Sequence, residues 1–169
     1  MSFEQLWAGW RRDYVMAATD AERAGAGTCV FCAIAAAGEP NEANGVIWRD
    51  DTVFAVVNAY PYASGHLMVM PRRHVDELGR LTPEESAGLW EATRRAVASV
   101  EVAYDPDGVN IGANLGRAAG AGIPDHLHLH VVPRWSGDTN FMTSVAGVRV
   151  MPESLTESWR RLSEAWPPA

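Results

Sequence analysis

Three histidines stand at alternate positions in His126-Leu127-His128-Leu129-His130-Val131-Val132. In an extended strand successive side chains point to opposite faces, so this spacing predicts three imidazoles on one face and Leu127, Leu129 and Val131 on the other. Neighbours on one face recur about every 6–7 Å, so the row would span roughly 13 Å, the reach of a short polyphosphate chain. Imidazole titrates near pH ~6.5 and can serve as nucleophile, acid or hydrogen-bond donor. The expected chemistry is covalent: His128 attacks an α-phosphorus, and water or phosphate then resolves the nucleotidyl-histidine. His130 would donate to the departing phosphate, and backbone amides near Gly120 and Gly122 would neutralise the phosphoryl oxygens. A metal hydrolase built on two or three of these imidazoles is the competing reading, because spaced histidines also bind zinc.

Cys29-Val30-Phe31-Cys32 has the spacing of a zinc knuckle. Two cysteines cannot close a tetrahedral site, so histidines must complete it, and His74 and His126 are the candidates. Two unmetallated buried thiols are the alternative, and a redox pair would need a βαβ context that the chain lacks.

The elements that must position these residues are legible in outline. Phe3, Leu6, Trp7, Trp10 and Tyr14 predict an amphipathic helix from Ser2 to about Ala18, and a short helix follows the cysteines. Strands are expected at Val46 to Arg49, Val53 to Val57, His66 to Met70, Val109 to Ala113 and His126 to Val132. Thr82-Pro83-Glu84-Glu85 starts a long helix running to about Tyr104, with Leu89, Trp90, Val97 and Val100 suited to its buried face. A last helix carries Leu155, Trp159, Leu162 and Trp166. Hairpin-connected strands with few helices predict an α+β domain with an antiparallel sheet.

The 169 residues suit one domain with a real core, and 47% hydrophobic against 21% charged residues excludes disorder. The net charge of −7 excludes a protein that coats nucleic acid through a basic surface. No apolar run is long enough to cross a membrane and no leader pattern opens the chain, so a cytoplasmic protein is expected.

At the histidine row the chain resembles the histidine-triad (HIT) superfamily, whose motif alternates three histidines with apolar residues. The likeness extends to Asn58-Ala59-Tyr60-Pro61-Tyr62, to Gly65-His66-Leu67-Met68-Val69-Met70-Pro71 and to the segment from Pro133 to Phe141. These segments resemble the branch of diadenosine tetraphosphate phosphorylases and hydrolases. The resemblance implies a single HIT-like α+β domain over residues 1–169, with about five antiparallel strands, a long packed helix and terminal helices. It implies His128 as nucleophile, Asn58 at the ribose, His66 near base and ribose, and Asn114 near the phosphates. Relatives with a cysteine pair hold a structural zinc on two cysteines and two histidines, here Cys29, Cys32, His74 and His126. A homodimer, a small nucleotide substrate and no organic cofactor are further implications. Phosphorolysis of diadenosine tetraphosphate is the preferred activity. Hydrolysis of such dinucleotides or of adenosine phosphoramidates, and nucleotide binding without turnover, are the alternatives. One departure stands out: many relatives carry Gln or Ser in the turn before the triad, whereas here it reads Gly120-Ala121-Gly122-Ile123-Pro124-Asp125.

Overall fold

The computed structural model describes residues 29–138 and 153–168. The helix expected over Ser2 to Ala18 and the segment Thr139-Asn140-Phe141 lie outside the described residues. Among the described residues five strands form one sheet: β1 (Val46–Arg49), β2 (Val53–Val57), β3 (Leu67–Pro71), β4 (Gly108–Gly112) and β5 (Leu129–Arg134). Their order is β1-β2-β3-β5-β4, with every pairing antiparallel. Among the described residues three α-helices accompany it: α1 (Val30–Ala36), α2 (Pro83–Tyr104) and α3 (Leu155–Glu164). The expected α+β class with a five-stranded antiparallel sheet is thus observed.

Helix α2 begins where its residues dictate. The Thr82 hydroxyl accepts from the Glu85 amide at 3.1 Å, the Glu85 carboxylate accepts from the Thr82 amide at 2.9 Å, and Pro83 takes the first turn. Its buried stripe is Leu89, Ala92, Thr93, Ala96, Ser99 and Val100, recurring at three- and four-residue steps. Trp90, expected on that stripe, is 59% exposed, because one residue past Leu89 turns the side chain about 100° around the axis. Asp105 adopts the left-handed conformation (φ 45°) and ends the helix.

The two faces of the sheet differ. Val53, Ala55, Leu67, Val69, Leu127 and Val131 meet α2 and Leu162 of α3 in the larger core. Phe54, Val56, Met68 and Met70 face the other way and pack against Phe31 of α1. The histidines occupy this second face, since His130 is paired with Met68 across β3 and β5.

Strand boundaries differ from expectation in one way that matters for the site. β5 begins at Leu129, so His126 and His128 precede the strand. The pairing of β3 with β5 stops at Val69 opposite Leu129, and the next available amide, that of Leu127, donates to the Val75 carbonyl instead. β3 and β4 are each displaced by one residue from the expected ranges.

Candidate active site

The alternation around the triad survives the late start of β5. Leu127 and Val131 are buried in the large core, whereas His126, His128 and His130 point to the opposite side. His128 is 5% exposed, and Nδ1 donates to the His126 carbonyl at 2.7 Å. With its proton committed there, the neutral ring keeps a lone pair on Nε2. Burial pushes the His128 imidazole below its ordinary value, against the opposing pull of the His126 carbonyl. A neutral ring with a free-electron-pair nitrogen is the form that attacks phosphorus. The rings of His128 and His130 are 5.0 Å apart between centroids.

His66 joins the pair from the β2–β3 connection, 64 residues earlier. The Tyr62 backbone amide donates to His66 Nδ1 at 3.0 Å, so the ring proton resides on Nε2. That nitrogen lies 2.9 Å from His130 Nδ1. The direction of the chain follows: His66 Nε2–H donates, His130 Nδ1 accepts, and His130 carries its own proton on Nε2. His130 is therefore a donor at Nε2. The ring nitrogens of His66, the residue the resemblance puts near base and ribose, are engaged with Tyr62 and His130.

His126 does not complete a row of three imidazoles facing one ligand. Its Nε2 donates to the Pro71 carbonyl at 2.8 Å, and its Nδ1 lies 3.4 Å from Cys29 Sγ and 3.6 Å from Cys32 Sγ. Lying before the strand, it turns toward α1. His74 Nδ1 stands 3.3 Å from Cys32 Sγ, and the four ligand atoms of Cys29, Cys32, His74 and His126 all lie within 4.8 Å of one another. A tetrahedral zinc separates sulfur and nitrogen ligands by roughly 3.5 Å, which the three sulfur–nitrogen pairs at 3.3, 3.4 and 3.6 Å match, so these side chains could hold the ion. The Pro71 carbonyl supplies the outer partner that fixes which nitrogen of His126 faces it. Burial pushes the Cys32 thiol up, with Cys29 adding to the effect, and burial pushes the His126 imidazole down. Among the described residues this is the one group of three or more potential metal ligands, and His128 and His130 stand outside it.

The remaining candidates are more dispersed. Asn58 is buried, its Oδ1 accepts from the Tyr60 amide at 2.9 Å, and its Nδ2 lies 3.3 Å from His66 Nδ1. Asn114, Gly120 and Gly122 lie on the connection from β4 to β5, where Gly120 adopts φ 86° and ends a 3-10 turn at Arg117–Ala119. Ile123 packs on the Phe31 cluster, and the Phe31 ring is 5.1 Å from that of His128. This connection thus runs over the face that carries the nucleophile candidate. Two residues were missed by the sequence reading: Phe31, wedged against His126 and His128, and Tyr62, stacked on His66 and His130. An aromatic residue between the paired cysteines and another just before Gly65-His66 were the available signals.

A family model described as the HIT domain matches residues 39–137, more than half of the chain. The chain belongs to the HIT domain family. This HIT domain protein is 47% identical over 121 residues to a protein of Mycobacterium tuberculosis named AP-4-A phosphorylase, covering 72% of this chain and 62% of that one. It therefore spans less than two thirds of that relative. A Schizosaccharomyces pombe protein named asymmetrical bis(5'-nucleosyl)-tetraphosphatase is 36% identical over 93 residues, covering 55% of this chain and 50% of its own. Among solved structures, a zinc-bound histidine triad family protein from Mycobacterium smegmatis superimposes with a TM-score of 0.66 at 33% identity. The match covers 82% of this chain and 93% of that one. Among the described residues of this HIT protein, no helix is long and apolar enough to cross a membrane.

Proposed function

We propose that this HIT protein transfers a nucleotidyl group from dinucleoside polyphosphates through a nucleotidyl-His128 intermediate, with phosphorolysis of diadenosine tetraphosphate to ATP and ADP as its activity. The observation that carries this reading is the bond from His128 Nδ1 to the His126 carbonyl, which leaves Nε2 as the nucleophile. Nε2 forms a bond to the α-phosphorus while the bond from phosphorus to the bridging oxygen breaks, releasing ATP. His130 Nε2–H hydrogen-bonds that departing oxygen. Inorganic phosphate then attacks the same phosphorus, the P–N bond breaks, and ADP leaves. The amides of Gly120 and Gly122 are assigned to the phosphoryl oxygens, and Asn58 and Asn114 to ribose and phosphates. The names of the two relatives support the substrate class.

Cys29, Cys32, His74 and His126 are assigned a structural zinc, supported by their mutual distances and by the zinc-bound neighbour. Four protein ligands leave no open position, so the ion would tie α1 to the segment before β5. β4 closes one edge of the sheet, and a two-fold pairing along that edge is proposed for the homodimer.

The test offers diadenosine tetraphosphate with and without inorganic phosphate, beside an adenosine phosphoramidate, and separates the products by chromatography. Phosphate-dependent ATP and ADP are expected. Symmetric cleavage to ADP alone, or turnover restricted to the phosphoramidate, would defeat the proposal.

A further inference from the structure

Tyr62 touches both imidazoles that face the leaving side of the proposed reaction. Its ring centroid is 4.6 Å from that of His66 and 5.7 Å from that of His130, the latter nearly parallel at 28°. His66 and His130 are themselves 5.1 Å apart, so the three rings form a closed triangle. Tyr62 is its outer wall: it is 40% exposed, whereas His66 beneath it is 2% exposed.

The same residue also supplies the backbone amide that donates to His66 Nδ1. The aim of that amide is set by a braced loop. The Asn58 amide donates to the His66 carbonyl at 2.9 Å, the His66 amide to the Ala63 carbonyl at 3.2 Å, and Asn58 Oδ1 caps the turn at Tyr60. Such bracing costs little at the moment of reaction, because the donor is already in place.

We infer that Tyr62 is a positioning residue: its amide and its ring together hold the His66–His130 pair so that His130 presents a proton on Nε2 to the leaving oxygen. The argument has two parts. While both rings keep this orientation, Nδ1 of His66 accepts, its Nε2 must donate, and the proton on His130 is forced to the outer nitrogen. The aromatic face then prevents either ring from rotating and keeps water from competing for the relayed hydrogen bonds. Nothing in the step is consumed, and Tyr62 itself touches neither phosphorus nor leaving group.

This inference rests on the proposed nucleotidyl transfer for its kinetic consequences, but its structural half can be measured without substrate. Ring-nitrogen NMR spectra of the wild-type protein are expected to show His66 and His130 as neutral Nε2–H tautomers. In Tyr62→Leu, which keeps the amide and removes the ring, both nitrogens of His130 should move toward averaged shifts. Tyr62→Phe should restore the wild-type pattern, and circular dichroism would show that both variants are folded. In turnover, Tyr62→Leu should lower kcat about tenfold or more for an adenylyl ester of a poor leaving group such as an alkyl alcohol, with KM within about twofold. The loss should be far smaller for a p-nitrophenyl ester, whose oxygen needs no help to depart. A wild-type His130 protonated on Nδ1, unchanged tautomers in folded Tyr62→Leu, or equal losses for the two esters would overturn the inference. Failure to find any nucleotidylated His128 would sink the parent reaction instead, and the spectra would still decide the tautomers.

Discussion

The carbonyl of His126 accepts from Nδ1 of His128 at 2.7 Å, while the ring of His126 faces Cys29 and Cys32. One residue therefore belongs to both sites: its side chain to the cysteine cluster, its backbone to the proposed nucleophile. The late start of β5 makes this arrangement available, because the His126 carbonyl, lying outside the β5 ladder, is open to the ring two positions on.

Removing the cysteine pair should show what the cluster holds. The wild-type protein purified without added zinc is expected to carry about one zinc per chain, and Cys29→Ser/Cys32→Ser close to none, by elemental mass spectrometry. The variant should also melt at a lower temperature, since α1 loses its tie to the segment before β5. A metal content near zero in the wild-type protein ends the zinc assignment.

Replacing the proposed nucleophile separates covalent transfer from direct attack by water or phosphate. Substrate labelled in the adenylyl group should leave label on the wild-type chain after a denaturing alkaline quench, conditions in which a P–N bond survives. His128→Asn should carry no label, and its turnover should fall by about 10³-fold or more. Label that persists in His128→Asn would place the covalent bond elsewhere.

What could be read from the sequence divides along the range of the interactions. Thr82, Pro83 and Glu85 specify the start of α2 by contacts within four residues, and the helix is found there. The strand faces are also local, since alternation alone separates Leu127 and Val131 from the histidines. The start of β5 is not local: it depends on where β3 stops offering partners and on the Val75 carbonyl. The contact of His66 with His130 spans 64 residues, and no periodicity encodes it. The cysteine and histidine cluster joins residues more than 90 apart in the chain. The cysteine spacing and the need for four ligands name its members as candidates but leave unmetallated thiols open, and the family resemblance favours the zinc.

Glu85 should dominate a specific window of acid unfolding. Its carboxylate is bound by Arg73 through two contacts of 2.7 Å and by the Thr82 amide, which together hold its pKa at about 2. A group depressed on folding stabilises the native state above its unfolded value of roughly 4.3, and that contribution disappears as pH falls from there toward its folded value. Arg73 is half exposed, so solvent screening limits the effect to about 1–2 kcal/mol. Urea titrations of Glu85→Gln should show this loss near pH ~7 and much less of it near pH ~2. Parallel curves for wild type and variant across the window would contradict the assignment.

Gly65 should tolerate no side chain, for two separable reasons. Its φ of 79° lies in the left-handed region, and a Cβ there would stand 2.5 Å from Cε2 of Tyr104. Tyr104 cannot retreat easily: its hydroxyl donates to the Glu153 carboxylate, and the Arg161 guanidinium lies 4.3 Å from its ring centre. Gly65→Ala is therefore expected to cost about 2–4 kcal/mol, the sum of the backbone penalty and the overlap. Because Gly65 adjoins His66, the variant should also disturb the His66–His130 hydrogen bond, visible in the ring-nitrogen spectra. Adding Tyr104→Leu removes the overlap and leaves the backbone cost, so this second substitution should destabilise the Gly65→Ala variant less than it destabilises the wild type. Strict additivity of the two substitutions in denaturant unfolding would mean that Gly65 and Tyr104 are not coupled and that the close approach plays no part.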